Sequence, residues 1–292
     1  VKKLFKILNK EQPKNRKVAM FVGGCVRKHI SKSKIDDIDI ATIFTPEELK
    51  KKFKDTDFKF VETGVDHGSV TVIHNNVKFE LTTLRKDQNP DGRHADVTFI
   101  DDWKIDSERR DFTINAIYLD EKGKIFDPQL GKKDLENKII KFIGDPEKRI
   151  QEDFLRIIRF IRFSVQYNYQ KFEPSTLKAI KLNLTGIQKI SKERVLTELI
   201  KILKLQNFNM ISTNNELKTI FNLIFPELKY LDRLKKINKV NSKINMETDI
   251  LLAILLTDNS KNHEYFCHKY SPSKYIKEKL NFINKKYLDF HA

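Results

Sequence analysis

The chain has 292 residues, 33% of them charged, and its 56 Lys and Arg against 40 Asp and Glu give a formal net charge of +16. That length allows two or three domains with cores of their own. Two cysteines, Cys25 and Cys267, with no Cys or His at ligand spacing, argue against a disulfide scaffold or a structural zinc site. The positive excess runs through the whole length and suits a polyanionic partner, although a bias toward Lys, Ile, Asn and Phe produces part of it. No apolar run is long enough to span a membrane, and the opening VKKLFKILNK lacks the apolar core and cleavage pattern of a signal peptide. It reads as a short amphipathic helix with Leu4, Phe5 and Leu8 inward, and the expected compartment is the reducing cytoplasm.

Residues 17–22 predict a short strand, Gly23-Gly24 a break, and residues 25–30 the start of a helix. Asp37 and Asp39 stand two apart within the alternation Ile35, Ile38, Ile40, so a second strand would carry both carboxylates on one face. Two such carboxylates repel unless a divalent cation joins them, and Mg²⁺ takes oxygen ligands of this kind. Nearby glycines bring backbone N–H groups within reach of phosphate oxygens, and the combination points to phosphoryl or nucleotidyl transfer. Taken singly, a Gly-Gly pair also makes a tight turn, and paired acids also cap helices or face water.

Thr45-Pro46-Glu47-Glu48 predicts a capped helix start, with Leu49 and Phe53 packing inward. Residues 58–61, 69–73 and 77–83 follow as strands, separated by Gly64 and the turn His74-Asn75-Asn76. Glu80 alternates with Phe79 and Leu81, which makes it either a third carboxylate beside Asp37 and Asp39 or a solvated strand residue. From Leu84 to Asp106 periodicity is lost among Asn-Pro and Asp-Gly turns. A loop of that length either covers the surface or supplies moving charged groups to a phosphate site, with Arg93 and Asp96 as its candidates. Farther on, Arg109 and Arg110 adjoin Asp111. Two guanidiniums suit a triphosphate, with Asp111 or Asn115 on a ribose hydroxyl, and they equally suit a structural ion-pair network. Residues 124–126 predict a strand, and Asp127-Pro128 and Gly131 lead into a helical turn at 132–136.

Gly144-Asp145-Pro146 breaks the chain before IQEDFLRIIRFIRFSVQY, residues 150–167, where Leu155, Ile158, Ile161 and Val165 recur at helical spacing. Asp153, Arg156, Arg159 and Arg162 recur every three residues on a neighbouring stripe. Three aligned arginines require an anion against them: a triphosphate, an RNA backbone, or acids from another helix. Asp153 and Arg156 form an acceptor and donor pair that matches the Watson–Crick edge of cytosine and adenine and opposes that of guanine and uracil. Read within the helix alone, they form an ordinary salt bridge. A helix at 175–183 is followed, after Gly186, by one at 190–205 that Ser191 can cap, with Glu193 and Arg194 in its first turns and Glu193 orienting other groups. Further helices are expected at 215–225, 228–237, 246–257, 261–269 and 271–286, with lysines that suit an RNA-facing surface or plain solvation. His263, His268 and Trp103 read as surface or packing residues.

The order GGCVR, DDIDIAT, ELTTLRKD, DGRHADVTF, DDWKIDSERRDFTINAIYL, GKKDL, EDFLRIIRFIRF and SKERVLTEL, over residues 18–205, resembles the bacterial class II tRNA nucleotidyltransferase and poly(A) polymerase family, particularly its CCA-adding enzymes. The resemblance implies an α+β fold. A palm-like nucleotidyltransferase head with a mixed sheet (1–140) would precede an all-helical neck that recognises the nucleotide (141–205). A helical body with a short or missing tail and a tRNA-facing surface (206–292) would follow. It also implies Mg²⁺ on Asp37 and Asp39, the triphosphate on Gly23, Gly24 and Arg27, and ribose and phosphate contacts from Arg109, Asp111 and Asn115. Glu152, Asp153, Arg156 and Arg159 would form the neck-side nucleotide site, with Asp153 and Arg156 as the protein template for CTP and ATP. Residues 84–106, with Arg93 and Asp96, look like the element that switches C to A addition, and Glu193 and Arg194 match a motif that steadies the nucleotide helix. Glu80, Arg110 and Arg162 are kept as supporting residues on the patterns above. One departure stands out: the family's Gly-Gly-x-Val-Arg is followed by aspartate, where this chain has Lys28. The implied activity is template-independent addition of CMP and AMP to the 3′ end of tRNA by a cytoplasmic enzyme, expected to be a monomer with a dimer left open and with no membrane partner. A-only addition and polyadenylation use nearly the same residues and stay open. A noncatalytic RNA-binding protein would explain the charge but not the coupled acids and glycines.

Overall fold

A computed structural model describes residues 1–13, 16–88, 96–169, 171–234, 247–258 and 260–291. Arg93, the side chain of Asp96 and part of the helix expected at 228–237 lie outside the described residues. The chain divides into two units, Val1–Asp145 and Pro146–Ala292.

In the first unit α1 (Lys2–Asn9) leads to β1 (Ala19–Val22), α2 (Gly24–Ile30), β2 (Ile38–Thr42), α3 (Pro46–Phe53), β3 (Lys59–Gly64), β4 (Ser69–His74) and β5 (Val77–Thr83). Strands β6 (Arg85–Gln88) and β7 (Asp96–Phe99) and helix α4 (Trp103–Glu108) come next, then β8 (Tyr118–Leu119), β9 (Ile125–Phe126) and α5 (Gly131–Glu136). A seven-stranded sheet runs in the order β3-β4-β5-β2-β1-β8-β9. Only β2 and β5 pair in parallel, which makes the sheet mixed. Alternation along the strands sends Ala19, Ile40, Val70, Val72, Phe79 and Leu81 into one core with Leu4, Phe5 and Leu8 of α1 and Leu49 and Phe53 of α3. On the other face Met20, Val22 and Ala41 pack with Leu84, Tyr118 and Trp103. Thr45 and Glu48 close the capping box on α3.

Three expectations for this unit change. β2 begins at Ile38, so Asp37 stands ahead of the strand and outside its ladder against β5. β3 continues through Gly64, which pairs with Ser69 across an irregular register, and the turn falls at Val65–His67 and Gly68, whose φ is 74°. Residues 84–106 are more than a loop: β6 pairs antiparallel with β7, and Asp102 caps α4 by accepting from Lys104 N–H and Ile105 N–H. Each hairpin strand is only four residues long, and Arg85, Lys86 and Asp87 hide the alternation in charge.

The second unit carries α6 (Pro146–Glu152), α7 (Leu155–Gln166), α8 (Pro174–Leu182), α9 (Lys192–Leu203), α10 (Met210–Thr213), α11 (Asn215–Ile224), α12 (Thr248–Leu256), α13 (Asn262–Tyr270) and α14 (Lys274–His291). The helix expected at 150–167 is two. Asp153 lies in the break, where its carboxylate accepts the Leu155 N–H at 3.1 Å and competes with continuous helical hydrogen bonding. Gly186 approaches the break closely, and a Cβ built there would lie 2.1 Å from the Phe154 ring. Ser191 precedes α9 without a side-chain cap bond. α7 buries Ile157, Ile158, Phe160 and Ile161, which leaves its arginines on the remaining face. Among the described residues no helix is long and apolar enough to cross a membrane.

One buried carboxylate ties the second face of the sheet together. Asp106 Oδ1 accepts from Arg109 Nε at 2.8 Å and from the Arg85 N–H at 3.3 Å, and Oδ2 accepts from Arg110 Nη2 at 3.0 Å and the Tyr118 hydroxyl at 2.7 Å. Burial opposes its ionisation, but the Arg110 and Arg109 guanidiniums and the Tyr118 hydroxyl outweigh burial and hold it well below the usual carboxylate range. Its stabilisation is therefore complete above the unfolded-state value of about 4 and is lost as pH falls toward the lower folded value. Asp106→Asn is expected to cost about 3–5 kcal/mol at neutral pH, because it leaves buried guanidiniums without their counter-charge. Chemical denaturation at neutral and acid pH checks this, and the variant's stability is expected to fall less steeply on the acid side.

Candidate active site

Alternation in β2 sends Asp39 to the face opposite Ile38 and Ile40, over the start of α2. Asp39 Oδ2 stands 3.6 Å from a Cβ built on Gly23 and 3.7 Å from one built on Gly24, so the carboxylate lies within van der Waals reach of both glycine positions. Gly23 also has a φ of 70°, which glycine adopts without strain. Burial pushes the Asp39 carboxyl above its ordinary value, and Asp37 pushes it the same way. Arg27, Arg110 and the Gly24 N–H act against them. Glu80 lies opposite Asp39 in the parallel β2–β5 register and is pushed up by burial, then by Asp39 and Asp37.

A cation relieves such like-charge crowding. Among the described residues no three His, Cys, Asp or Glu side chains form a cluster that could hold a metal on their own. Two carboxylates still fit Mg²⁺, which keeps waters and takes its remaining oxygens from substrate phosphates. Asp37 and Asp39, whose charges act on each other, are the candidate donors for such an ion, and Glu80 adds negative field beside them.

Three more candidate residues form a chain behind the glycines. Arg27, buried in α2, donates through Nη1 to Asn115 Oδ1, and Asn115 Nδ2 donates to Asp111 Oδ1 at 2.6 Å. The Phe112 N–H donates to the same Asp111 oxygen at 2.9 Å. The Cys25 thiol donates to the carbonyls of Val22 and Asp39, and burial raises its pKa, so it acts as a packing group.

Arg109 and Arg110, adjacent to Asp111 in sequence, both turn to Asp106. From Asp106 they lie at i+3 and i+4 on one helical face, whereas neighbouring residues diverge. Asp106 is absent from the expected site, although that spacing was its available signal.

In the second unit Asp153 and Arg156 do not pair with each other. Asp153 Oδ2 accepts from Arg194 Nη2 at 2.7 Å, while Arg156 Nη1 donates to Glu152 Oε2 at 2.6 Å and to the Arg149 carbonyl at 2.7 Å. Arg162 Nε donates at 2.6 Å to Glu198 of α9, and Arg159 lies 5.5 Å from the centroid of the Phe163 ring. Burial works against the charge on Glu198, but Arg162, Lys201 and Arg159 hold its pKa below the ordinary value. An acid from another helix thus faces the arginine stripe. Nothing local marks Glu198, which is 36 residues from Arg162. Glu193 lies in the first turn of α9.

Residues 19–141 match the poly A polymerase head domain, and residues 171–231 match the probable RNA and SrmB-binding site of polymerase A. The mitochondrial CCA tRNA nucleotidyltransferase 1 of Danio rerio is 42% identical over 193 residues, 65% of this chain and 45% of that protein. The CCA-adding enzyme of Staphylococcus haemolyticus (strain JCSC1435) is 37% identical over 269 residues, 91% of this chain and 64% of that protein. The chain therefore spans less than two thirds of either curated relative. The crystal structure of the Bacillus stearothermophilus CCA-adding enzyme in complex with CTP matches with a TM-score of 0.70 at 28% identity, covering 93% of this chain and 66% of that one. A mixed-sheet palm followed by helices is the architecture expected from the sequence. The chain belongs to the poly A polymerase head-domain family, that of the class II tRNA nucleotidyltransferases and CCA-adding enzymes.

Proposed function

We propose that the chain adds CMP and AMP from CTP and ATP, without a nucleic-acid template, to the 3′ end of tRNA, and so builds or repairs the CCA terminus. The observation that carries this reading is the Asp39 carboxylate held over Gly23-Gly24, with Asp37 and Glu80 raising its charge density. Family membership and the CCA-adding relatives support it. On this reading residues 1–140 are the head, 141–205 the neck and 206–292 a body with a tRNA-facing surface, in a cytoplasmic enzyme that works as a monomer.

Asp37 and Asp39 would hold Mg²⁺, which when bound would supply Lewis acidity for forming the attacking 3′ oxygen and releasing pyrophosphate. Gly23 and Gly24, without side chains, leave room for the triphosphate beside Asp39, and Arg27 adds positive charge there from a position steadied by Asn115 and Asp111. Arg109, Asp111 and Asn115 contact ribose and phosphate, and Arg110 and Glu80 tune the field around Asp39. No side chain needs to act as a nucleophile.

Glu152, Asp153, Arg156 and Arg159 bind the base side. Asp153 accepts from the exocyclic amine of C or A, and Arg156 donates to the adjacent ring nitrogen, whereas G and U present the opposite polarity. Arg194 and Glu152 already grip these two heads, so the presented edge is set before the nucleotide arrives. Arg162 and Glu193 brace the same helices, and residues 84–106, including Arg93 and Asp96, are assigned the switch from C to A addition.

Incubation of the chain with CTP, ATP and tRNA transcripts ending before CCA, after C or after CC is expected to complete CCA in each case. A single A on the CC transcript alone, or a long A tail, would overturn the assignment in favour of A addition or polyadenylation. Asp37→Ala is expected to abolish addition with the melting temperature unchanged, and full activity in that variant would refute the metal pair. Arg156→Ala is expected to reduce the preference for CTP and ATP over GTP and UTP about tenfold or more, read as ratios of kcat/KM. Asp39, with its raised pKa, binds its proton more tightly folded than unfolded, so its contribution to stability falls as pH rises through the carboxylate range. Asp39→Asn is therefore expected to raise the melting temperature of the metal-free protein at neutral pH, with the gain vanishing in acid, as followed by thermal denaturation in chelator.

A further inference from the structure

The sheet holds Asp39, but it does not hold Asp37. The β2 ladder against β5 starts at Ile38, paired with Phe79, and residues 33–37 belong to no helix or strand. Asp36 Oδ1 accepts the Asp37 N–H at 3.0 Å, and the same oxygen pairs with Lys28 Nζ of α2. The chain thus places a base on α2 and an acid next to the first metal-side aspartate, and the two meet.

We propose that Lys28 and Asp36 are positioning residues that hold Asp37 in place for the metal, through one carboxylate oxygen shared between the Lys28 ammonium and the Asp37 amide. The proposal rests on the reading of Asp37 and Asp39 as the Mg²⁺ pair. α2 is the natural anchor, because it starts at the glycines that lie under Asp39. Tying the segment before β2 to α2 therefore fixes Asp37 in the same frame as its partner acid. Arg27, one residue earlier on α2, turns instead to Asn115. With side chains 23% and 61% exposed, Lys28 and Asp36 can be removed without stranding a buried charge, so a change in metal binding is separable from a change in folding.

The test is Mn²⁺ binding to the nucleotide-free full chain, followed by electron paramagnetic resonance, alongside Mg²⁺ titration of CMP addition. Lys28→Ala and Asp36→Ala are each expected to raise the Mn²⁺ dissociation constant, and the Mg²⁺ needed for half-maximal rate, about two- to fivefold, the range of exposed ion pairs. The rate at saturating Mg²⁺ and the melting temperature are expected to stay near those of the unaltered chain. The double variant is expected to lose no more than the weaker single one, as a linked unit requires. Asp36→Asn keeps an oxygen for the Asp37 N–H and is expected to bind Mn²⁺ more tightly than Asp36→Ala. Unchanged Mn²⁺ affinity in both single variants, or additive losses in the double, would overturn the proposal. If Asp37→Ala also left Mn²⁺ affinity unchanged, the metal-pair reading itself would fall. If Asp37→Ala lost affinity while the Lys28 and Asp36 variants kept it, only the positioning role would be refuted.

Discussion

The seat of Asp39 over the Gly23-Gly24 backbone governs the rest of the first unit. A central strand supplies the carboxylate, the start of a helix supplies a backbone without side chains, and the parallel β2–β5 pair sets Glu80 beside them. None of these groups gains from the arrangement in the metal-free chain. Burial and the neighbouring acids push Asp39 and Glu80 toward protonation, and that cost is carried by the apolar core on the opposite face of the sheet, from α1 and α3 to β5. The fold holds like charges together where a cation and a triphosphate would relieve them.

Four of the described acids therefore fall into two kinds. Asp106 and Glu198 are buried but enclosed by guanidiniums and other donors, which keep them ionised. Asp39 and Glu80 are under-compensated, and their pKa values rise. Opposite shifts separate groups that hold the fold together from groups whose charge a ligand would relieve. Arg110 joins the two sets, since it is paired with Asp106 and still lowers the pKa of Asp39.

In the second unit the same economy of charge produces directionality. Asp153 and Arg156 stand three residues apart, yet each is gripped by a different partner, Arg194 and Glu152. A mutual salt bridge would have consumed the donor and acceptor that a base edge needs. Holding each head from one side restricts its rotamers and leaves the remaining capacity of each group oriented. The break between α6 and α7 makes this possible, because it takes Asp153 out of the regular helical stripe that carries Arg159 and Arg162.

The linear chain by itself determined α1 to α3, β1 to β5, β9 and α5, the capping box at Thr45 and Glu48, the glycine pair, and the acids at 37 and 39, because period-two and helical spacing and capping chemistry act over a few residues. The ordered motifs likewise disclosed the family. Short elements were harder to read: polar side chains obscured the β6–β7 hairpin, and a carboxylate competing for one backbone amide split the helix at Asp153. Only the tertiary structure decided which charge meets which. Arg162 reaches an acid 36 residues away, Asp153 a guanidinium 41 residues away, and Arg27 an amide 88 residues away. Spacing along a chain records backbone conformation, whereas the partner of a charge depends on which distant elements the packing of the core brings beside it.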